Sequence, residues 1–90
     1  MPEIAYLDGK IAPVDALSTS VRDRGFLFGD GVYDVARVYP DGPWRLERHL
    51  ERLLRNAGEI ELSDTPSKAE LRGIATELVE RADLADGMIY

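Results

Sequence analysis

The chain contains no cysteine, which excludes disulfide bonds and thiolate metal ligands. Its one histidine, His49, argues against a histidine-based metal cluster, so we predict no metal site. No apolar run approaches the roughly 20 residues that a membrane span needs, and the beginning of the chain lacks the basic residues of a signal peptide. These absences predict a cytoplasmic protein that does not enter a membrane.

Positive charge is also scarce, because 11 lysines and arginines face 17 acidic residues and the formal net charge is -6. This balance argues against a nucleic-acid partner. Four closely spaced arginines still leave room for a local site that binds a small anion: Arg45, Arg48, Arg52 and Arg55. Lys10 falls in a predicted turn and Lys68 opens a predicted helix, where neither amine is desolvated enough to be a nucleophile.

The first half of the chain carries the patterns of short strands. Asp8-Gly9, between apolar segments, predicts a hairpin over residues 4 to 13, because this pair favours the positive φ angles of a type I′ turn. The β-branched and aromatic run from 32 to 39 predicts a strand. Residues 40 to 43 then predict a turn, residues 44 to 46 a short returning strand, and residues 87 to 90 a final strand.

Two helices are predicted in the second half. Leucines and other apolar residues recur at helical spacing from Leu46 to Ile60, and again from Leu71 to about Ala82. Ser67 with Glu70 three positions later predicts a capping box at the start of the second helix. Ninety residues suffice for one small domain. The order of elements predicts an α+β fold, in which a small, mainly antiparallel sheet is covered by two helices.

The glycine-rich segment from 24 to 34 is the most informative part of the chain. Glycines allow the backbone to adopt positive φ and to lie close to another surface, and such loops often hold a binding site. In the strand that follows, alternation places Tyr33, Val35 and Arg37 on one face. A phenol, a small apolar wall and a guanidinium suit a small molecule that bears a carboxylate. The structural alternative is a half-buried tyrosine beside a solvated arginine.

Arg52 is the second candidate for a binding residue. It follows Arg48 and His49 by one helical turn and lies at the margin of the apolar stripe, where a guanidinium could hold a phosphate through paired hydrogen bonds. The alternative is a solvated arginine paired with Glu47 or Glu51. His49 could transfer protons, although a structural or interface role is typical of a single helical histidine. Asp23 and Asp30 are expected in capping or Asx-turn roles.

The segments Arg22-Asp23-Arg24-Gly25-Phe26-Leu27-Phe28-Gly29-Asp30-Gly31-Val32-Tyr33-Asp34-Val35 and His49-Leu50-Glu51-Arg52-Leu53 resemble one family closely. Together they look like the amino-terminal domain of the class IV, fold-type IV aminotransferases that use pyridoxal phosphate. The Phe-Gly-Asp-Gly-Val-Tyr form is most similar to that of D-amino-acid aminotransferases. Branched-chain aminotransferases usually carry a Phe-Glu-Gly pattern here, and aminodeoxychorismate lyases a Leu-Phe-Glu pattern.

The resemblance implies roles for the two candidate sites. It implies that Arg52 binds the phosphate of pyridoxal 5'-phosphate, and that Tyr33 contacts the substrate with Val35 and Arg37 on the same wall of the pocket. It also implies transfer of the amino group of a D-amino acid, such as D-alanine, to a 2-oxo acid, and a homodimer. His49 is placed near the site or the subunit interface without a catalytic duty. We expect Arg52 and Tyr33 to face a common cavity.

One feature of the family is missing from these 90 residues. The Schiff-base lysine of the family lies in sequence beyond residue 90, so we expect residues 1–90 to form an amino-terminal small domain with no catalytic residue of its own. The isolated chain is expected to form no reducible adduct with pyridoxal phosphate and to show no transamination. The alternatives are the branched-chain or lyase branches of the superfamily, and a non-catalytic binding or assembly module.

Overall fold

A computed structural model describes residues 3–90 of the chain. The first strands are β1 (Ile4–Leu7) and β2 (Lys10–Pro13), and a single 3-10 turn, Val14–Ala16, follows them. A short helix, α1 (Arg24–Phe28), precedes β3 (Ala36–Tyr39) and β4 (Gly42–Pro43). Two long helices, α2 (Leu46–Glu59) and α3 (Lys68–Ala82), lead to the last strand, β5 (Gly87–Ile89). No helix among the described residues is long and apolar enough to cross a membrane.

The predicted amino-terminal hairpin is confirmed. Strands β1 and β2 pair antiparallel with Ile4 opposite Pro13 and Leu7 opposite Lys10. The two residues of the turn have φ angles of 50° at Asp8 and 89° at Gly9, as a type I′ turn requires. The local Asp-Gly pair therefore sets the register of the hairpin.

The other strands form a second antiparallel sheet in the order β4-β3-β5. Ala36 lies opposite Ile89 and Val38 opposite Gly87, while Tyr39 faces Gly42 across the β3–β4 turn. The α+β class predicted from the sequence is confirmed. The strands make two separate antiparallel sheets within residues 3–90, where the sequence predicted one.

Two strand predictions were wrong in their bounds. The predicted strand from 32 to 39 begins only at Ala36, because the side chain of Asp34 binds the backbone amide of Val35 at 2.9 Å and β5 pairs no further than Ala36. The predicted returning strand from 44 to 46 is also wrong. Arg45 has a left-handed φ of 53°, and α2 begins directly after it.

The glycine-rich segment contains a short helix that the sequence did not predict. Asp23 caps α1 by accepting a hydrogen bond from the backbone amide of Gly25 at 2.9 Å, which confirms the expected capping role. Gly29 ends α1 with a φ of 72° in the left-handed region, where glycine is favoured. Asp30 pairs with Arg24 at 2.7 Å. The loop is therefore bounded by local polar contacts at both ends.

The core is formed by residues of β3 and of the two long helices. Val38 is fully buried, and four further apolar side chains are buried with it: Ala36, Leu50, Ala57 and Ala75. The predicted capping box of α3 is confirmed, since Ser67 accepts from the amide of Glu70 at 3.1 Å while Glu70 accepts from that of Ser67 at 3.3 Å. This arrangement presents one end of β3 to the amino-terminal half of α2, where the candidate site lies.

Candidate phosphate-binding site on α2

Asp34 lies at the centre of the candidate site. Its Oδ2 accepts a hydrogen bond from Nε of Arg52 at 2.7 Å, and its Oδ1 accepts one from Nη2 of Arg52 at 2.8 Å. Nδ1 of His49 lies 2.7 Å from the same Oδ1, and the backbone amide of Val35 donates to it at 2.9 Å. An ionised carboxylate only accepts hydrogen bonds, so the imidazole donates from Nδ1. We call Asp34, His49 and Arg52 the carboxylate triad.

Two elements bring the triad together. Asp34 precedes β3, and its side chain is 6% exposed, so it lies on the same inner side as the buried Ala36 and Val38. His49 and Arg52 are three positions apart on α2 and therefore project from one side of the helix. The fold thus brings a guanidinium and an imidazole, both carried by α2, to one carboxylate.

The hydrogen bonds within the triad shift the pKa values of Asp34 and Arg52. The hydrogen bond from Arg52 holds the pKa of the Asp34 carboxyl far below its ordinary value of 3.8, with help from His49 and the Val35 amide, although burial opposes the shift. The hydrogen bond to Asp34 raises the pKa of Arg52 above its ordinary value. Asp34 is therefore an anion, and Arg52 a cation, throughout the physiological pH range.

Arg52 also lines a cleft of about 450 Å³ on the outer face of α2. We call it the basic cleft, and its other lining residues are Trp44, Arg45, Arg48, His49, Glu51 and Arg55. The guanidinium of Arg45 lies 4.6 Å from the ring centroid of Trp44. Eight salt bridges occur within residues 3–90, and none of them involves Arg45, Arg48 or Arg55. Glu51, the acidic residue of the lining, is paired with Lys68, so among the described residues the cleft has an excess of positive charge.

A second, apolar cavity of about 660 Å³ lies on the other side of the triad. It is bounded by the two long helices and by residues of β1 and β5, and most of its lining is aliphatic. Asp34 lines this cavity, Arg52 lines the basic cleft, and His49 lines both. The triad is therefore a polar boundary between an apolar interior and a basic surface.

The predicted substrate residues do not line the basic cleft with Arg52. Tyr33 is 68% exposed, and its ring stacks on that of Tyr90 with centroids 5.6 Å apart. Arg37 pairs with Asp86, and its guanidinium lies 5.6 Å from the ring centroid of Tyr39. Val35 is half-buried. Tyr33 lines neither of the two cavities described above, so within residues 3–90 neither of them is the expected common cavity of Arg52 and Tyr33.

The residue that sequence reasoning missed is Asp34. The alternative partners considered for Arg52 were Glu47 and Glu51, yet these two side chains bind α3 instead, through Arg72 and Lys68. Strand alternation assigned Asp34 to the same face as Ala36 and Val38. A carboxylate on an apolar inner face needs a buried partner, and this was the signal that could have identified it.

Comparison with known proteins defines the class to which this fold and site belong. Residues 31–90 match the family model described as amino-transferase class IV. The chain therefore belongs to the class IV aminotransferase family, as the glycine-rich segment and the His-Leu-Glu-Arg-Leu segment predicted. The matched range includes β3, both long helices and the whole triad.

The chain is also similar to individual members of the family. A D-alanine aminotransferase of Staphylococcus aureus (strain MSSA476) is 36% identical over 88 residues, which are 98% of this chain and 31% of that protein. A D-alanine aminotransferase of Bacillus licheniformis is 36% identical over 83 residues, which are 92% of this chain and 29% of that protein. One from Listeria monocytogenes serotype 4b is 37% identical over 73 residues. The chain spans less than a third of the length of the first two relatives.

Proposed function

We propose that this chain is the amino-terminal, phosphate-binding part of a pyridoxal-phosphate-dependent aminotransferase. The proposed reaction transfers the amino group of a D-amino acid, such as D-alanine, to a 2-oxo acid. Membership of class IV and the similarity to three D-alanine aminotransferases support the reaction class. The observation that carries the proposal is Arg52, held by Asp34 and presented to the basic cleft.

The donors of the basic cleft fit the phosphate of the cofactor. Asp34 engages Nε and Nη2 of Arg52, which leaves Nη1 for a second anion. Arg48 and Arg55 lie four positions before and three positions after Arg52, on the same side of α2, and they line the same cleft. A phosphate dianion is matched by such planar, permanently charged donors. We assign the phosphate contact to Arg52, with Arg48 and Arg55 adding positive potential.

When bound, pyridoxal phosphate supplies the electron sink that makes the α-proton of an amino acid removable. The residues of this chain would bind and orient, and none of them is proposed to move the proton. The amine of Lys68 lies 3.4 Å from Glu47 and 3.2 Å from Glu51, and these hydrogen bonds raise its pKa above the ordinary value. Lys10 is exposed in the hairpin. The lysine that links to the cofactor is proposed to lie outside residues 1–90.

Tyr33, Val35 and Arg37 remain our candidates for the substrate wall. Arg37 is bound to Asp86, and both side chains are open to solvent. An exposed ion pair is weak, so a substrate carboxylate could replace Asp86 at little cost. Tyr33, four positions before Arg37, is exposed, although one face of its ring is stacked on Tyr90. A homodimer and a cytoplasmic location are further parts of this proposal.

The test is cofactor affinity and substrate choice in the full-length protein. Arg52→Gln should raise the dissociation constant of pyridoxal phosphate about tenfold or more, because a charge-assisted hydrogen bond is worth about 1.5–3 kcal/mol. The matched control is Arg81→Gln, since Arg81 is also a helical arginine but binds Glu77 on α3. Equal affinity of the Arg52→Gln and Arg81→Gln proteins would refute the phosphate assignment.

The substrate part of the proposal is tested separately. The full-length protein should convert D-alanine and a 2-oxo acid faster than it converts L-leucine, and it should not cleave aminodeoxychorismate. Preference for L-leucine would assign the protein to the branched-chain branch, and cleavage of aminodeoxychorismate to the lyase branch. Absence of turnover with all three, together with no affinity for the cofactor, would favour a non-catalytic module.

A further inference from the structure

The carboxylate oxygens of Asp34 accept most of the hydrogen bonds they can form from other groups of the protein. Four hydrogen bonds reach its two oxygens, from Val35, His49 and twice from Arg52. The side chain is 6% exposed, whereas that of Arg52 is 54% exposed. Asp34 therefore has neither the access nor the free acceptors to contact a ligand in the basic cleft. Its remaining capacity is to act on Arg52 and His49.

The contact with Arg52 determines how the guanidinium is oriented. A guanidinium is planar, and two parallel hydrogen bonds along one edge fix both its position and its rotation. The side chain of Arg52 is otherwise half open to solvent, and a long side chain in that setting samples several rotamers. The described residues offer Arg52 no other acidic partner. Asp34 thus fixes the orientation of Arg52, which lines the cleft, and its two hydrogen bonds leave Nη1 available.

The contact with His49 selects the position of its ring proton. In its neutral form the imidazole carries one proton, and the carboxylate at 2.7 Å from Nδ1 requires that proton on Nδ1. Nε2 is then an acceptor. The ring is 22% exposed and lines both the apolar cavity and the basic cleft. One buried carboxylate therefore fixes the geometry of two side chains, His49 and Arg52, that lie one helical turn apart on α2.

We propose that Asp34 is a positioning residue, which orients Arg52 for an anion in the basic cleft and fixes His49 as its Nδ1–H tautomer. This inference rests on the proposed function, because it takes the anion to be the phosphate that Arg52 binds. The charge of Asp34 and its hydrogen bonds have opposite effects on the binding of an anion. A carboxylate near the cleft repels a phosphate through space, yet its hydrogen bonds prepare the guanidinium that attracts the phosphate.

Because the two effects change phosphate affinity in opposite directions, one substitution can distinguish them. In the full-length protein, Asp34→Asn removes the negative charge and one of the two hydrogen bonds with Arg52, while the side chain keeps nearly the same shape. Positioning predicts that the dissociation constants of pyridoxal phosphate and of inorganic phosphate both rise about tenfold. If the charge alone mattered, both constants would fall. Asp34→Glu keeps the charge but displaces the carboxylate, and it should raise the constants about threefold.

The matched control is Asp30→Asn, which also removes one carboxylate from an Asp–Arg pair but lies outside the basic cleft. Phosphate affinity in this variant should stay within twofold of the wild type. Tighter or unchanged binding in Asp34→Asn would overturn the inference, and if Arg52→Gln still weakened binding, the proposed function would survive. Unchanged affinity in Arg52→Gln would overturn the proposed function itself.

A second measurement is made on the wild-type protein, so it does not depend on whether an Asp34 variant folds. In the ¹⁵N NMR spectrum of the wild-type protein, the ring nitrogens of His49 are assigned by their loss in His49→Gln. In the neutral form, Nδ1 should carry the proton and Nε2 should show the shift of a bare nitrogen. A proton on Nε2 would contradict the inference. In a folded Asp34→Asn protein the two tautomers should mix, because the side-chain amide can either donate or accept.

Discussion

Asp34 and Arg52 meet edge to edge although they are 18 positions apart in sequence. The pKa of the Asp34 carboxyl is lowered in the folded protein, so the ion pair stabilises the fold above the ordinary carboxyl pKa of 3.8 and this contribution is lost as the pH falls below it. We expect the free energy of unfolding to fall as the pH drops through about 4 and below, as measured by urea denaturation.

The variant Asp34→Asn should flatten this acid dependence, because an amide does not titrate. It should also lower the free energy of unfolding at pH 7 by about 2 kcal/mol, a typical value for hydrogen bonds to a charged group. Asp34→Glu is the control, since it retains a titratable carboxyl and should retain most of the slope. An Asp34→Asn protein with the wild-type slope would show that this ion pair does not control acid stability.

Val38 provides a test of the core. It is the fully buried residue of β3, with no exposed surface. Removal of its two methyl groups in Val38→Ala should cost about 2 kcal/mol of unfolding free energy, from lost transfer energy and the cavity left behind. Val21→Ala is the matched control, because Val21 is 72% exposed, and it should change stability by less than about 0.5 kcal/mol. Equal effects of the two substitutions would contradict the packing described here.

The capping box at the start of α3 gives a further prediction. Ser67→Ala removes the hydroxyl that accepts from the amide of Glu70, and it should cost about 1 kcal/mol. Thermal unfolding followed by circular dichroism would measure the loss. Ser63→Ala, in the exposed segment that precedes α3, should leave the transition unchanged. An unchanged unfolding transition in Ser67→Ala would mean that water replaces the hydroxyl at the start of α3 with no loss of stability.

Gly29 and Gly31 allow the glycine-rich segment to be tested by one matched pair. Gly29 has a φ of +72°, whereas a Cβ at Gly31 would meet nothing within 4 Å and its φ is not in the left-handed range. Alanine in the left-handed region costs roughly 1–2 kcal/mol. Urea denaturation should therefore show a loss of about this size for Gly29→Ala and little change for Gly31→Ala. The reverse order would refute the helix end assigned to α1.

Local sequence signals predicted much of this fold. The Asp8-Gly9 turn, the apolar periodicity of the long helices and the Ser67–Glu70 cap depend on residues at most a few positions apart. Each was found where the pattern placed it. These features require only that neighbouring residues satisfy one another's backbone groups or share one helical face.

The errors in the strands arose from local backbone and side-chain geometry, and the triad was missed because it depends on a distant contact. Residues 32 to 35 have strand-like composition, but the Asp34 side chain binds the amide of Val35 and no strand partner reaches them. Arg45 was placed in a strand, yet its left-handed backbone turns the chain directly into α2. The triad joins residues 15 and 18 positions apart, and its existence depends on how α2 lies against β3. No spacing rule within one element contains that information.

The separation of the two sheets has a consequence for how the molecule opens. Within residues 3–90 the β1–β2 hairpin shares no ladder with the β4-β3-β5 sheet, and its main tertiary neighbour is α3. The hairpin can therefore detach by losing side-chain packing alone, while the backbone hydrogen bonds of the larger sheet persist. Its amide protons should exchange with deuterated solvent through a low-energy local opening, well before those of β3, and a protease should cut first in the exposed connection between residues 18 and 23.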